Sequence, residues 1–539
     1  MKKTVLSRLL LFAALICLVG GAPAPVRADA PLYVSPSGSG TACSPSAPCS
    51  ADQAISQISG DALLLFESGT YTSNDPEWVL HFALTDPNAT VKVLGSCSWD
   101  PGGASYTCGG SNPPSIIDGE DARVPVLVLG TDTTSFEMKF FSITNGDATG
   151  IETGFCHSYY GGTVNGCGGG MRVGTLGSLE LESNSFYYNR ASNDISAPLA
   201  VSIGGGLYVD GAAEVLLAYN DFQDNYASVY GTGIGGGVYI FGDDTTLATL
   251  EFNTFTNNES SVSSHDGSGA GLTVEAAKSV TLWRNTFTEN NALFRMINGG
   301  AAYIHNTANL VWFYGNIFSG NDGADSVAVT HSSITNDVVF SYNHFKATGS
   351  LTACRIFGDF DLEMFNNMFA PFPPGRSPDR GVMTVNVMLI GAGVIVPKAT
   401  ANLRFNSFAY GSRGIYLRDN LDATVQDNII AHTTGFGILT SGSSVTVDIA
   451  NNLFHDNTGA GGMGQTGTLY HTGDPLFNDP AAADLHIQPG SAAVGLAPYD
   501  LTYIYDFDGQ LRQAFAEDLY VDLGADELYG RVHLPFCLK

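Results

Sequence analysis

An asparagine, one intervening residue and then an apolar residue recur ten times between Asn184 and Phe454. The copies begin at Asn184, Asn220, Asn253, Asn285, Asn316, Asn343, Asn367, Asn406, Asn428 and Asn452, spaced by 36, 33, 32, 31, 27, 24, 39, 22 and 24 residues. A repeat of this length means supersecondary units stacked on one another rather than one globular core. The shortest spacings hold three short strands and three turns, which is one coil of a parallel β-helix. The expected class is all-β.

The apolar pattern fixes which side chains point inward. Five residues before the asparagine stand Leu179, Val215, Val280, Val311, Val338, Leu362 and Val447. Three before it stand Leu181, Leu217, Leu250, Leu282, Phe313, Phe340, Met364, Leu403, Val425 and Ile449, and two after it a Phe or Ile. Alternation places these on the inner face, where they stack coil upon coil as ladders. An inward asparagine at a turn exchanges amide hydrogen bonds with the next coil, so the ten asparagines read as structural rather than catalytic. Glycine runs at 168–170, 204–206, 235–237, 269–271 and 299–300 precede the first strand of a coil. No strand–glycine loop–helix unit with a lysine follows them, so a phosphate cradle is rejected in favour of close backbone stacking.

The ends of the chain point to export. Lys2, Lys3 and Arg8 precede the apolar run Leu9–Val19, and Val26-Arg27-Ala28 offers a cleavage site, which makes residues 1–28 a signal peptide. The formal charge of the whole chain is −29, and losing four basic residues with the signal leaves −33. Such a surface repels nucleic acid and anionic membranes, and it disfavours polyanionic glycans unless cations bridge them. No internal stretch is apolar enough for a transmembrane span. Three close cysteine pairs, Cys43/Cys49, Cys97/Cys108 and Cys156/Cys167, read as loop-closing disulfides of an exported protein. Cys354 and Cys537 have no local partner.

Glycine runs combined with Phe-x-x-Asn (Phe186 to Asn189, Phe222 to Asn225, Phe255 to Asn258, Phe287 to Asn290, Phe318 to Asn321, Phe454 to Asn457) resemble the repeats of polymorphic outer-membrane proteins. More broadly, residues 120 to 458 resemble right-handed β-helix proteins of the pectate-lyase-like superfamily. Tyr33–Gly38 followed by Ser50–Ile55 resembles the N-terminal caps of secreted β-helices, with Ser50 and Gln53 as a capping box. Gly473–Phe477, Leu485–Ser491, Asp506–Gly509 with Arg512, and Val521–Ala525 are similar to the choice-of-anchor Q domain, departing from it at Ala492–Gly495. These resemblances imply a right-handed parallel β-helix with an N-terminal helical cap and a C-terminal capping region. The implied division is 1–28 signal peptide, 29–119 cap and first coils, 120–458 β-helix, 459–530 anchor-like region and 531–539 tail.

Enzymes of this superfamily hold substrate along the outer face of the first sheet. Its outward positions here are Arg172, Tyr208, Tyr239, Thr273, Tyr303 and, further on, Tyr416, with Asp210, Phe241, Glu275, His305 and Arg418 two residues later. Tyrosine rows stack on sugar rings, which makes Arg172, Tyr208, Tyr239 and Tyr303 the ligand-binding candidates. Asp210 and Glu275, two coils and roughly 10 Å apart, with His305 one coil beyond, are the catalytic candidates. A solvated face with aromatic cross-strand pairs is the competing reading. Trp283, Trp312, Tyr314 and Phe365 project from the second sheet, as a binding platform or beneath the loop 370–384. Asp359, Asp361 and Glu363 are the calcium candidates or a solvated face; no cofactor is required, and no other metal site is expected. The Gly-His-Gly and Arg-Ile-Lys elements of polygalacturonases do not occur, and Asp243-Asp244 stands without them. The expected role is a binding or adhesion scaffold, secreted or on a bacterial cell surface, for extracellular polysaccharide or a surface partner. The alternatives are a polysaccharide lyase or glycoside hydrolase, or a structural spacer.

Overall fold

The computed structural model describes residues 30–528, apart from 103–104, 152–155, 158–163, 197–199, 263–266, 293–298, 332–335, 347–349, 351, 371–385, 392–398, 443, 458–463 and 513–519. The expected signal peptide, the tail with Cys537 and nearly all of the loop 370–384 lie outside the described residues. The rest is an all-β right-handed parallel β-helix. Its second strands form a 15-stranded sheet running from Leu32–Val34 to Thr446–Ala450. Within it the hairpin strand Tyr106–Cys108 pairs antiparallel with Thr90–Trp99. Strand spacing makes the rod roughly 60 Å long.

The expected ladders are all present. Leu179, Val215, Ala248, Val280, Val311 and Val338 stand in register on successive coils. The phenylalanines stack ring on ring, from Phe186–Phe222 at 4.8 Å through Phe255–Phe287 at 4.5 Å to Phe369–Phe408 at 5.0 Å. The asparagines form a chain of amides. Asn220 Nδ2 donates to Leu181 O and to Asn253 Oδ1, and the same Asn253 Oδ1 accepts from the Asn220 backbone N–H at 2.9 Å. This pattern repeats to Asn452. A parallel amide ladder runs through Asn189, Asn225, Asn258, Asn290 and Asn321, the asparagines of the Phe-x-x-Asn motif.

The variable spacing is explained by the turn between the third and first strands. In the coils that begin at Asn406 and Asn428 it shrinks until the two strands merge, so Ser407–Arg418 and Ile429–Ser441 each run through both faces. Two strands, rather than the three expected, suffice there. In the long coils the same turn carries two extra strands. These form two further sheets of four strands each: Val164–Cys167, Val201–Ile203, Thr232–Ile234 and Gly267–Ser268 in one, and Arg190–Ser192, Tyr226–Ser228, Glu259–Ser261 and Asn291–Ala292 in the other. Together they make a lobe on the side of the rod.

The glycine runs are where the lobe strand reverses into the first strand. Gly204 has φ +65°, and a Cβ on Gly205 would stand 2.4 Å from the carbonyl oxygens of Gly236 and Tyr226. Close backbone stacking is thus the role of these glycines.

The three expected disulfides are formed. Cα separations are 4.6 Å for Cys43–Cys49, 4.0 Å for Cys97–Cys108 and 5.9 Å for Cys156–Cys167. The first closes its short loop as expected and is also buried, with Cys49 0% exposed and Cys43 1%. The cause is backbone pairing. Cys49 N–H donates to Tyr33 O at 3.0 Å and Cys49 O accepts from Ser35 N–H at 3.1 Å, which lays Cys49 beside the strand Leu32–Val34 and inside the end of the core. The Cys43–Cys49 bridge is therefore part of the N-terminal cap's packing rather than a surface tie. Cys97 and Cys167 are likewise buried. Cys354 is a buried free thiol.

At the N-terminal end the short helix Ala51–Ile55 is capped by Ser50 Oγ, which accepts from Gln53 N–H at 3.3 Å. Ala54 is buried against the end of the core. The C-terminal residues Gly473–Leu528 fold along the flank of the last coils. There Phe477, Leu485, Val521 and Leu523 pack on the outward side chains Met368, Ala409, Ile429 and Leu453. Arg512, 2% exposed, donates to Asn366 Oδ1 (3.0 Å) and to the carbonyls of Gly524 (2.8 Å) and Ala525 (3.0 Å). It pairs with Glu527 and lies 4.5 Å over the Phe405 ring. No helix among the described residues is long and apolar enough to cross a membrane.

Candidate functional site

The first-strand row is in the predicted register. Arg172, Tyr208, Tyr239, Thr273 and Tyr303 pair in sequence across five coils, and Asp210, Phe241, Glu275 and His305 do the same two residues later. The expected exposed binding face is corrected, however. Arg172, Tyr208, Tyr239 and Tyr303 are 1%, 0%, 0% and 6% exposed. Val164, Ile203 and Ile234 of the lobe close over Tyr208 and Tyr239, and the Cys156–Cys167 disulfide ties the lobe down at one end. The physical cause is the turn at each glycine run, which folds the inserted strand back onto the face that the tyrosines present.

The polar atoms of this row are spent on one another. Tyr208 OH donates to Asp210 Oδ2 at 3.0 Å, and Tyr239 OH donates to Glu275 Oε2 at 2.7 Å. His305 Nδ1 meets Thr330 Oγ1 at 2.7 Å and its Nε2 meets Asn306 Nδ2 at 2.7 Å. The His157 ring stacks 3.5 Å from that of Phe241, between the coils of Asp210 and Glu275. Burial lifts Asp210 above the ordinary carboxylate range and holds His305 below the ordinary imidazole value. Arg172 Nε is used by Cys167 O at 2.9 Å. Glu275 and His305 are therefore neighbours, Asp210 stands beyond Phe241, and all three are half-buried and tied to tyrosine, threonine or asparagine.

The second sheet keeps an open aromatic strip. Trp283 and Tyr314 stack at 3.9 Å with ring planes 8° apart, and Trp312 stands edge-on to both at 5.7 Å. All three are half-buried. The strip continues through Tyr342 to Phe365, where Tyr503 of the C-terminal segment covers it, at a ring distance of 5.3 Å. Beside the strip, Arg284, Tyr314, Ile317, Tyr342 and His344 of the rod face Phe507, Asp508 and Gly509 across a cleft of about 330 Å³. On the same sheet Glu363, a calcium candidate, accepts from Asn402 Nδ2 at 2.8 Å and Tyr503 OH at 3.3 Å, and Asp361 accepts from Thr400. Asp359 is buried.

The family model of the right handed beta helix region matches residues 126–318 and 390–473, just over half of the chain. The chain belongs to this family. Comparison with curated proteins finds no match. Right-handed β-helix membership accounts for the scaffold and leaves chemistry to the residues grafted on it.

In this β-helix the cleft was invisible to sequence reasoning because its two walls are more than 150 residues apart, Arg284–His344 against Phe507–Gly509. The aromatic wall alone carried a signal, the outward positions of consecutive second strands. A cluster of His486, Asp508 and Asp526 on the C-terminal segment was missed as well, because three stretches of chain with no common motif supply it.

Proposed function

We propose that this β-helix is an exported binding scaffold that takes neutral polysaccharide along the outer face of its second sheet. The observation that carries the reading is the half-buried Trp283–Tyr314–Trp312 cluster on two adjacent coils, two rings stacked and the third edge-on. Sugar rings present apolar C–H faces to such platforms, while hydroxyls reach polar groups alongside. Arg284, Tyr342 and His344 supply those groups in the adjoining cleft. The net charge of −29 disfavours anionic glycans. Three disulfides support an oxidising, extracellular setting on or near a bacterial surface.

Affinity electrophoresis through gels loaded with neutral polysaccharides tests this. Trp283→Ala and Trp312→Ala should each weaken retention about tenfold, the loss of one stacking contact of about 1–1.5 kcal/mol. Tyr239→Ala should lower stability and leave retention unchanged, because that ring is buried. Retention insensitive to both tryptophans would refute the platform.

A second reading, a glycoside hydrolase or lyase acting through Asp210, Glu275 and His305, rests on their in-register row and on the raised proton affinity of Asp210. It requires the lobe to open. Glu275→Gln should then abolish release of sugar products while leaving retention intact.

A further inference from the structure

His486, Asp508 and Asp526 come from three stretches of the C-terminal segment: the strand Asp484–Ile487, the bend 506–509 and the final turn 522–527. One ligand-capable atom of each lies within 4.8 Å of the other two. The imidazole is oriented from behind, since its Nδ1 is bonded to Asp484 Oδ1. Nε2 therefore faces the other carboxylates. It is shut off from solvent and, among the described residues, has no aligned hydrogen-bond partner; Asp508 Oδ2 stands 3.2 Å away. Two ligands bound about 2.1 Å from one ion stand roughly 3.0–3.4 Å apart, which is this separation.

The surroundings point the same way. Asp526 is 6% exposed and spends Oδ2 on the Ile487 N–H, at 2.8 Å. Asp506, fully buried, uses Oδ1 for the Gln510 N–H at 2.7 Å. The carboxylates of Asp508 and Asp526 are thus gathered around an imidazole held by a third carboxylate. A carboxylate–histidine pair of this kind is the usual support of a metal-ligating ring.

We propose that His486 Nε2, Asp508 and Asp526 bind one first-row divalent cation of the zinc or manganese type, with Asp484 as the orienting residue. The imidazole and the small number of oxygens favour such an ion over calcium or magnesium. The ion would join three strands of chain that otherwise meet through few backbone bonds, and so fasten the segment that forms one wall of the cleft. The proposal is independent of what the aromatic strip binds.

The test uses the full chain, freed of any purification tag, stripped with chelator and titrated at pH 7.5 with Co²⁺ and then Zn²⁺. One Co²⁺ per chain should bind with a visible ligand-field band that Zn²⁺ displaces, and Zn²⁺ should raise the unfolding temperature reversibly. His486→Gln and Asp508→Asn should each lose at least tenfold in Co²⁺ affinity with an unchanged far-ultraviolet spectrum. His432→Gln, at a separate His–Asp pair, should retain full affinity. If His486 is only a charged partner of Asp484 and Asp508, no stoichiometric Co²⁺ binding will appear. That result, or binding that survives Asp508→Asn, overturns the site.

Discussion

The residue before each asparagine of the first ladder sits in the left-handed region, and most are not glycine. Tyr219, Phe252, Arg284, Tyr342 and Phe405 have φ between 52° and 60°. Each costs about 1–2 kcal/mol relative to an ordinary conformation, and the amide ladder offsets it by satisfying the buried turn on both sides. Asn253→Ala would strand the Asn220 N–H and the Leu217 carbonyl, both now bonded to it at 2.9 and 2.7 Å. A loss of about 2–4 kcal/mol is expected, read from denaturant midpoints; a loss under about 1 kcal/mol would mean that the ladder is ornamental. A second residue-scale prediction concerns His331, which is 5% exposed. Burial, and then the neighbouring His305, push its imidazole down to about 4. The unfolded chain protonates at about 6.5, so the native state is favoured above that value. Stability falls as pH drops from about 6.5 toward 4, by up to about 3 kcal/mol. His331→Leu should flatten this part of the stability profile.

At the scale of elements, the lobe decides what the first sheet can present. Its strands leave the rod after the third strand and return through the glycine run, so the geometry of that run sets the cover over Tyr208 and Tyr239. Gly205→Ala would drive a Cβ to 2.4 Å from two carbonyl oxygens on neighbouring coils. Since backbone must give way, it should cost about 1–3 kcal/mol. It should also speed hydrogen exchange in Val201–Ile203 and Thr232–Ile234 more than in the second sheet. Equal protection in both sheets would show that the lobe does not depend on this approach.

At the scale of the molecule, the C-terminal segment is clamped by one buried guanidinium. Arg512 bonds simultaneously to Asn366 of the rod, to the Gly524 and Ala525 carbonyls and to Glu527. Arg512→Ala would leave the Glu527 carboxyl buried without its partner, and breaking such a pair costs about 3–5 kcal/mol. The segment should then become sensitive to limited proteolysis while residues 30–370 keep their cooperative unfolding. Arg512→Lys should not restore protection, because an ammonium cannot span the same set of acceptors. Intact protection in both variants would show that apolar packing alone holds the segment.

The repeat determined the rod by itself, for a physical reason. Inward Leu, Val, Phe and Asn at fixed offsets each interact with the same residue of the next coil, so the interactions that build the core are written as a period along the chain. The three disulfides were legible because each joins cysteines at most 11 residues apart. The burial of Cys49 was not, since it depends on pairing with Tyr33 and Ser35 across the cap. What only the tertiary structure decided lies where the period fails. Whether the excursion in a coil of 31–36 residues stays in solvent or returns over the first sheet depends on a turn at Gly204 and on contacts between Ile203, Ile234 and Tyr208 that no spacing encodes. The left-handed residues carry no glycine signature, and the cleft and the His486 cluster join segments brought together by the clamp at Arg512. Outward side chains have no repeating partner, so their exposure is set by what folds over them.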